Sequence, residues 1–316
     1  MSLPVGGELD GASGALCVLA SGSKGNCAVL VVPKTKRTAR RVILFDAGLS
    51  PSRTHGLLHA RGIRSDEVDE IVFTHLDSDH CHRGWVTAIG SSSVTGAWRA
   101  SLRVHRMHMG RAERMGLLYS KTEPFDEVFA PAPGVRIESV MLSHDDLGVA
   151  VFRCDLDLGD RASASFGYAT DLGHVTNEMV DHLRGVDVLA IESNYCPAMQ
   201  EASERPAFLK KRIMGGAGHL SNEESAIAVG RINPRVHVVL LHLSRECNEP
   251  AIAMGSHRRF VDEKAGRRCV VSLQDEPTDW IPIRGDGQGR SVKVPRKHVQ
   301  ARLFGKAIAG VGGEGV

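Results

Sequence analysis

The sequence predicts an α/β protein in which two mixed β-sheets face each other and helices cover the outside. The first observation is the order of the apolar runs: short β-branched runs come first, strand-like and helix-like segments then alternate, and the same order repeats. The second observation is that several of these runs end in histidine or aspartate. Polar residues at the ends of neighbouring strands are typical of a site at one edge of the sheets.

Composition is that of an ordinary globular enzyme. The chain has 316 residues, of which 42% are hydrophobic and 24% charged, and its formal net charge is +2. A charge this small does not indicate a general nucleic-acid binder, so any basic contact surface must be local. The seven cysteines are scattered without a Cys-x-x-Cys pair, which indicates reduced thiols. With no basic leader and no apolar run long enough to span a membrane, we expect a cytoplasmic protein.

Three regions follow from the pattern of apolar runs. We predict a flexible N-terminus at residues 1–14, a catalytic domain at 15–275 and a polar, basic tail at 276–316. Strands are predicted at residues 15–20, 27–32, 42–45, 71–73, 135–142, 149–154, 164–169, 186–191, 236–241 and 268–273. Helices are predicted at residues 52–61, 98–115, 177–183, 206–214, 222–231 and 250–265.

The most informative stretch follows the predicted strand at residues 71–73. His75, Asp77, Asp79 and His80 place four ligand-type side chains within six residues. Imidazole and carboxylate groups are the usual ligands of Zn²⁺ or of a harder divalent ion. A loop after a strand allows alternate side chains to point towards two neighbouring metal ions, so the stretch predicts part of a metal centre.

Three further strand ends carry residues of the same type, at His144, Asp171 and His242. Each of them alone is weak evidence, because a single histidine at a strand end is more often a hydrogen-bonded surface residue. Their joint occurrence favours a dinuclear site whose ligands are distant in the sequence.

The stretch His75-x-Asp77-x-Asp79-His80 resembles the His-x-His-x-Asp-His signature of the metallo-β-lactamase superfamily, with Asp77 where that family usually has its second histidine. The resemblance implies a four-layer αββα fold with two divalent metal ions. It assigns His75, Asp77 and His144 to one metal, Asp79, His80 and His242 to the second, Asp171 to a bridge between them, and Asp46 to a supporting hydrogen bond.

A closer resemblance is to the YycJ/WalJ group of bacterial proteins, which is associated with exonuclease action on DNA. The segments that carry it are Ala20-Ser21-Gly22-Ser23-Lys24-Gly25-Asn26, Asp46-Ala47-Gly48, Ser143-His144-Asp145, Thr170-Asp171, Glu192-Ser193-Asn194, Gly218-His219-Leu220-Ser221-Asn222-Glu223 and Leu241-His242-Leu243-Ser244. They extend in order from about residue 15 to residue 275. The resemblance therefore covers the whole predicted catalytic domain.

His219 directs the interpretation towards phosphodiester hydrolysis. It precedes a helix that Ser221 can cap, and the segment resembles that of tRNA 3′-processing nucleases, where a histidine assists the leaving group. The alternative is that His219 only closes the N-terminus of that helix. Residues that could contact a substrate are Ser23, Asn26, Asn194, Lys210, Lys211, Arg212 and Ser221.

Asp77 leaves three interpretations open. A carboxylate in place of an imidazole makes the site more negative and moves its preference towards Mn²⁺, Fe or Mg²⁺ relative to Zn²⁺. Asp77 could be a ligand with this altered preference, or a weak ligand that leaves only the second metal tightly bound. The third interpretation is a decayed site in a protein that works by binding alone.

The function most consistent with these features is metal-dependent hydrolysis of phosphodiester bonds in DNA, with Asp79 and Asp171 orienting the attacking water and His219 assisting the leaving group. The alternatives are an RNA-processing nuclease, a hydrolase of small esters or cyclic nucleotides, and a non-catalytic module that binds nucleic acid or a partner protein. No sequence feature separates DNA from RNA, because that choice depends on contacts to the 2′-hydroxyl.

Overall fold

The computed structural model describes residues 11–90, 98–143, 146–216, 218–261 and 268–285. Its strands are β1 (Gly14–Ala20), β2 (Cys27–Val32), β3 (Arg41–Phe45), β4 (Glu70–Val72), β5 (Ser101–His105), β6 (Thr122–Phe125), β7 (Val128–Ala132), β8 (Val135–Leu142), β9 (Val149–Leu156), β10 (Ala164–Ala169), β11 (Val188–Glu192), β12 (His237–Leu241), β13 (Arg268–Val271) and β14 (Ile281–Ile283). Its α-helices are α1 (Pro51–His59), α2 (Trp85–Gly90), α3 (Met109–Met115), α4 (Asn177–Leu183), α5 (Pro197–Ala202), α6 (Ala207–Met214), α7 (Asn222–Ile232) and α8 (Pro250–His257). Short 3₁₀ turns lie at Ser65–Glu67 and Arg106–His108.

The described strands form two seven-stranded sheets of the same design. The first has the order β14-β1-β2-β3-β4-β5-β6 and the second the order β13-β12-β11-β10-β9-β8-β7. Each sheet has three consecutive antiparallel pairings and three consecutive parallel ones: the antiparallel pairings are at the β14 end of the first sheet and at the β7 end of the second. The α-helices lie in the connections between parallel strands, because two parallel strands can be joined only by a long crossover.

Three hydrophobic layers hold these elements together. The layer between the sheets contains the Phe45 ring, whose centroid lies 5.5 Å from that of Phe166 and 5.3 Å from that of Tyr168. A second layer packs α1, α2 and α3 on the first sheet, and a third packs α4, α7 and α8 on the second. The predicted four-layer αββα architecture is confirmed.

Two predicted segments differ from the structure. Residues 98–115 are not one helix, because Ser101–His105 forms β5, and only Met109–Met115 is α-helical. Leu102 and Val104 are buried while the residues before each of them are half-exposed, which is the two-residue period of a strand. The predicted helix at 250–265 ends at His257, and residues 262–267 lie outside the described part.

The sheet also extends past residue 275, where the sequence places the end of the catalytic domain. Strand β14 pairs with β1, with Ile283 opposite Gly14 and Ile281 opposite Leu16, and both isoleucines are buried between the sheets. A three-residue strand is too short to show a reliable period, which is why the sequence did not reveal it. Residues 286–316 of the predicted tail and residues 1–10 of the predicted N-terminus lie outside the described residues.

All seven cysteines lie in the described part and none forms a disulfide. Among the described helices, none combines the length and the apolar content needed to cross a bilayer.

Candidate metal centre

The loop after β4 lies at the edge where the two sheets meet. Its histidines, His75 and His80, are buried, whereas Asp77 and Asp79 are partly exposed. The backbone N–H of Asn26 donates to the carbonyl oxygen of Asp79 at 2.7 Å. The backbone N–H of Ala47 donates to the carbonyl oxygen of His80, also at 2.7 Å. These backbone bonds fix the loop against the ends of β2 and β3.

Asp46, directly after β3, orients this loop from beneath. Its Oδ1 accepts hydrogen bonds from the backbone N–H of Thr74 at 2.8 Å and from the Thr74 hydroxyl at 2.9 Å. Its Oδ2 lies 2.8 Å from Nδ1 of His80. Because Nδ1 of His80 is engaged by Asp46, Nε2 is the nitrogen that faces Asp171.

The second sheet delivers Asp171, Glu192 and His242 to the same edge, at or just after the ends of β10, β11 and β12. Asp171 Oδ2 lies 2.6 Å from Nε2 of His80, and Asp171 Oδ1 lies 3.0 Å from Nδ1 of His242. Glu192 Oε1 lies 3.3 Å from the same nitrogen of His242. Residues about ninety positions apart in the sequence are therefore in direct contact.

The backbone at these strand ends is unusual. Asp46, Asp171 and His242 have φ values of 60°, 53° and 56°, and Asn233 is the one other non-glycine residue in the described part with a positive φ. The left-handed conformation costs a non-glycine residue about 1 kcal/mol or more. Its occurrence at three of these residues indicates that the surrounding contacts impose their side-chain directions.

The charges of the cluster are mutually dependent. Burial alone would lower the pKa values of His80 and His242, but Asp171 and other carboxylates outweigh burial and raise both pKa values well above the usual range. Burial would raise the pKa of Asp171, but the same two imidazoles hold it well below the usual carboxyl range. Buried carboxylates at this density need compensating positive charge, which protonated imidazoles or divalent cations can supply.

The donor set fits divalent metal ions. Three groups place their ligand atoms within 4.8 Å of one another: Asp79, His80 and His242; His75, His80 and Asp171; and Asp171, Glu192, His219 and His242. Nε2 of His242 is buried without a hydrogen-bond partner in the described part, and it lies 3.6 Å from Asp79 Oδ2. A buried nitrogen of this kind is the atom that a metal ion would engage. His144, predicted as a ligand, lies outside the described residues.

Asp77 lies at the edge of this cluster. Its Oδ2 is 3.9 Å from Nε2 of His75, and its Oδ1 forms an ion pair of 2.6 Å with Arg111 on α3. Asp77 belongs to none of the three compact groups of ligand atoms among the described residues. It contacts one metal-type ligand and one guanidinium.

His219 lies opposite the loop after β4, before α7. Its Nδ1 lies 2.7 Å from Glu192 Oε1 and 3.4 Å from Asp171 Oδ1. The cap of α7 is made by Ser221, whose hydroxyl accepts a hydrogen bond from the Glu224 N–H at 3.2 Å. His219 is therefore not needed as the cap, and its ring is held at the cluster instead.

A cavity of about 510 Å³ opens over the cluster. Its walls are His75, Asp77, Asp79, Ser143, Asp146, Asp171, Leu209, Arg212, Ile213, Gly218 and His219. A second cavity of about 340 Å³ also contains His219, and its other walls are Ser23, Asn194, Arg205, Leu209, Ile213, Ser244 and Glu246. Both volumes are in the range of small-ligand sites.

The residues predicted to contact a substrate fall into two groups. Ser23, Asn194 and Arg212 line these cavities. Asn26 and Ser221 are buried and have structural partners: Asn26 Nδ2 lies 3.0 Å from Nε2 of His80, and the Ser221 hydroxyl lies 2.7 Å from Oε2 of Glu224.

The lysines of α6 are more peripheral. The Lys210 ammonium donates to the carbonyl oxygen of Glu201 at 2.6 Å, and Lys211 is exposed. Neither lines the cavities described above. Of the three basic residues predicted on this helix, Arg212 alone borders the metal cluster.

Sequence reasoning gave no role to Glu192 or Arg111. Glu192 is fully buried, and its Oε2 accepts hydrogen bonds from the N–H groups of Leu172 and Leu220. Burial would raise its pKa, but the contact with His219 outweighs burial and lowers it. The available signal was its position: an acidic residue ends the strand between the two strands that deliver Asp171 and His242.

The fold and the cluster together define a class of protein. Residues 41–243 match the model of the β-lactamase superfamily domain, and the chain belongs to this superfamily.

Two relatives and one solved structure show which proteins within this superfamily the chain is similar to. The chain is 30% identical over 274 residues to the exodeoxyribonuclease WalJ of Streptococcus pneumoniae, which covers 84% of this chain and 93% of the relative. It is 26% identical over 256 residues to the exodeoxyribonuclease YycJ of Bacillus anthracis, covering 78% of this chain and 89% of the relative. The structure of the metallo-β-lactamase fold protein YhfI from Bacillus subtilis matches with a TM-score of 0.58 at 12% identity, over 84% of this chain and 98% of that one. That last likeness concerns the fold.

Proposed function

We propose that this chain is a dinuclear metal-dependent nuclease that removes nucleotides from the ends of DNA. The observation that carries the proposal is the convergence of His75, Asp79 and His80 from one sheet with Asp171 and His242 from the other, below an open cavity. The names of the two curated relatives, both exodeoxyribonucleases, support DNA as the substrate and an end as the point of attack.

The proposed ligands follow the positions of the side chains. Asp79, His80 and His242 would hold one ion and His75 and Asp77 the other, together with His144, and Asp171 would bridge the two. Divalent ions bound there would activate a water molecule for attack on phosphorus and stabilise negative charge on the phosphoryl oxygens. The carboxylate of Asp77 favours Mn²⁺ or Fe over Zn²⁺ in this centre.

Residues of the chain would orient the water, protonate the leaving group and bind the phosphate. Asp79 and Asp171 orient the attacking water. Glu192 engages Nδ1 of His219 at 2.7 Å, which fixes the imidazole so that it can deliver a proton to the departing oxygen. Arg212, on the cavity wall, holds the phosphate through charge and hydrogen bonds.

The test combines metal analysis with a nuclease assay. Purified protein is expected to contain about two divalent ions per chain, and to release mononucleotides from end-labelled linear DNA with Mn²⁺. Covalently closed circular DNA is the matched control, since an enzyme that requires an end leaves it intact. Parallel reactions with RNA and with a cyclic nucleotide test the alternative substrates.

Two results would contradict the proposal. Protein that holds both metal ions but cleaves none of the nucleic acids is not a nuclease. Cleavage of RNA but not of DNA would replace the proposed substrate. A variant that lacks a central ligand, Asp171→Ala, should lose metal and activity together, which excludes a contaminating nuclease.

A further inference from the structure

Helix α6 forms a wall of both cavities and carries an unusual residue. Leu209 and Ile213, one turn apart, line the cavity over the metal cluster and the adjoining cavity. Phe208 is 75% exposed, more than any other large hydrophobic side chain in the described part, where Met107 is next at 55%. Single exposed apolar residues are common, so the exposure of Phe208 does not by itself indicate a binding site.

Phe208 lies next to a charged side chain. Residues four apart on a helix are neighbours on its surface, so Phe208 lies beside Arg212, which lines the metal cavity. Phe208 itself lines neither cavity, but its neighbours Leu209, Arg212 and Ile213 do. An exposed aromatic ring beside a guanidinium that lines an acidic, metal-binding cavity is the combination that holds single-stranded nucleic acid. The ring stacks on a base and the guanidinium contacts the phosphate.

The adjoining cavity extends this surface. Arg205 lines it, and its guanidinium makes three hydrogen bonds, to Glu246, Gln200 and Ser244. These bonds hold the guanidinium in place, and a guanidinium has five N–H donors, so two remain for a ligand. His219 borders both cavities, so a strand that places a phosphodiester at His219 has room on either side of it.

We infer that α6, together with Arg205 just before it, is the binding surface for the single-stranded end of the substrate, with Phe208 stacking on a base and Arg212 and Arg205 contacting phosphates on either side of His219. This inference rests on the proposed nuclease function. It adds the part of the substrate that α6 recognises: an unpaired nucleotide next to the bond that is cut.

The test measures binding of a fluorescent single-stranded oligonucleotide with phosphorothioate linkages, which slow cleavage, to the metal-loaded protein. Phe208→Ala should weaken binding by about ten- to a hundredfold, the usual effect of removing one stacking partner. Phe208→Trp should retain binding, whereas Phe208→Leu should lose it, because leucine is apolar but has no π face. Ile227→Ala is the matched control, since Ile227 is 47% exposed on α7, a helix of which no residue lines either cavity.

An abasic nucleotide moved stepwise from the end locates the stacked base. Wild-type protein should lose affinity at one position, and Phe208→Ala should be insensitive to that position. Unchanged binding by Phe208→Ala, or wild-type binding by Phe208→Leu, would overturn the stacking role while the nuclease function stands. Failure of wild-type protein to bind or cut DNA would instead contradict the proposed function itself.

An independent observation concerns Asp77. Its two carboxylate oxygens face different partners: Oδ1 is bound by Arg111 at 2.6 Å, and Oδ2 points towards Nε2 of His75 at 3.9 Å. Two ligands on one ion, each about 2.0–2.2 Å from it, stand about 3.3 Å apart at a tetrahedral angle and at most about 4.4 Å apart, so Oδ2 and the imidazole can share an ion. Arg111 and Asp77 are both partly exposed, so the ion pair itself adds little stability.

The geometry points to Arg111 as a positioning residue for the metal ligand Asp77. It holds one oxygen so that the other faces the ion, and it offsets a negative charge in a cluster that already contains Asp46, Asp79, Asp171 and Glu192. Groups that hydrogen-bond to a ligand typically contribute about 10- to 100-fold to metal affinity.

The test is a double-mutant cycle read by metal titration and metal content. Arg111→Met should weaken one of two metal sites by about 10- to 100-fold and leave the other unchanged. Asp77→His should shift the preference towards Zn²⁺, and adding Arg111→Met to that variant should cost nothing more, because an imidazole needs no guanidinium partner. Arg106→Met, which removes the exposed pair with Asp126, is the control.

Equal losses in both backgrounds would make Arg111 a general structural residue. No loss in either would remove its role altogether. If Asp77→His leaves metal content and preference unchanged, Asp77 is not a ligand.

Discussion

At the scale of single residues, the contact between His219 and Glu192 supports a role for His219 in proton transfer rather than in metal binding. Glu192 has one oxygen on Nδ1 of His219 and the other on the N–H groups of Leu172 and Leu220, so its carboxylate cannot rotate without losing bonds. A histidine fixed in this way is suited to proton transfer in a defined direction.

We expect His219→Ala to slow DNA cleavage by about 10²- to 10⁴-fold while metal content stays intact, because general acid help is lost. A nitrophenyl phosphodiester, whose leaving group departs without protonation, should lose much less rate. Steady-state kinetics on both substrates, with metal analysis of the same preparations, checks this. Equal losses on both substrates would mean that His219 positions the phosphate, and loss of metal would make it a ligand.

At the scale of elements, the backbone at Gly48, just after β3, packs directly against the backbone of the metal-binding loop at Asp79. A Cβ at this position would lie 1.7 Å from the carbonyl oxygen of Asp79 and 2.6 Å from the N–H nitrogen of Asn26. Neither is a flexible side-chain end, so the loop itself would have to move.

Gly48→Ala is therefore expected to lower the free energy of unfolding by about 1–3 kcal/mol or more and to weaken metal binding, since Asp79 moves with the loop. Gly56→Ala is the matched control: it lies in α1 with nothing within 4 Å of its Cβ, and alanine should stabilise the helix by up to about 1 kcal/mol. Denaturant unfolding and metal content measure both variants. Unchanged metal binding in Gly48→Ala would contradict the proposed coupling.

A second prediction at this scale concerns α4 and pH. Burial, with a smaller effect of the nearby Arg153, lowers the pKa of His182 to about 4. Its Nε2 is buried without a hydrogen-bond partner in the described part. The unfolded chain, with a histidine pKa of about 6.5, binds more protons than the folded one between these two values.

The contribution of His182 is therefore fully present above about pH 6.5 and is lost as pH falls towards 4. It amounts to at most about 3 kcal/mol, and to less because the ring is partly exposed to solvent. His182→Gln should flatten this part of the stability profile, measured as the difference from wild type in denaturant unfolding between pH 4 and pH 7. Parallel profiles for the two proteins would show that His182 does not titrate in this way.

At the scale of the whole molecule, the candidate metal centre joins the two sheets. His75, Asp79 and His80 come from the first sheet, and Asp171 and His242 from the second, so bound ions would link both halves of the αββα sandwich. A ligand that binds only the folded chain stabilises it by mass action.

Removal of the ions with a chelator should therefore lower the thermal midpoint, by an amount equivalent to about 3 kcal/mol for each ion present at a hundred times its Kd. Calorimetry with and without the chelator measures the effect, and restored Mn²⁺ should reverse it. Asp79→Asn should show a smaller response, because one site is weakened. A midpoint unaffected by full metal removal would mean that the ions do not contribute to joining the sheets.

Much of this architecture was predictable, because the residue types within a short segment indicate whether it forms a strand or a helix. The runs at β1 and β2 are buried and apolar throughout, β3 is buried and apolar after Arg41, and α7 begins at a Ser221–Glu224 capping box. Prediction was wrong at β5, where Leu102 and Val104 alternate with polar residues inside a segment of good helix formers, and it did not find β14, whose three residues are fixed only by pairing with β1.

The sequence by itself determined the loop from His75 to His80, the strand ends that carry Asp171 and His242, and the membership of a metal-hydrolase superfamily, since each depends on residue types at short spacing. Only the tertiary structure decided that Glu192 holds His219, that Arg111 binds Asp77, and that Arg212, one turn after the exposed Phe208, lines the metal cavity. The physical reason is distance along the chain: Arg111 is on another element from Asp77, and Glu192 is 27 residues from His219. Contacts of this kind leave no local pattern, and they arise from how the sheets and helices pack.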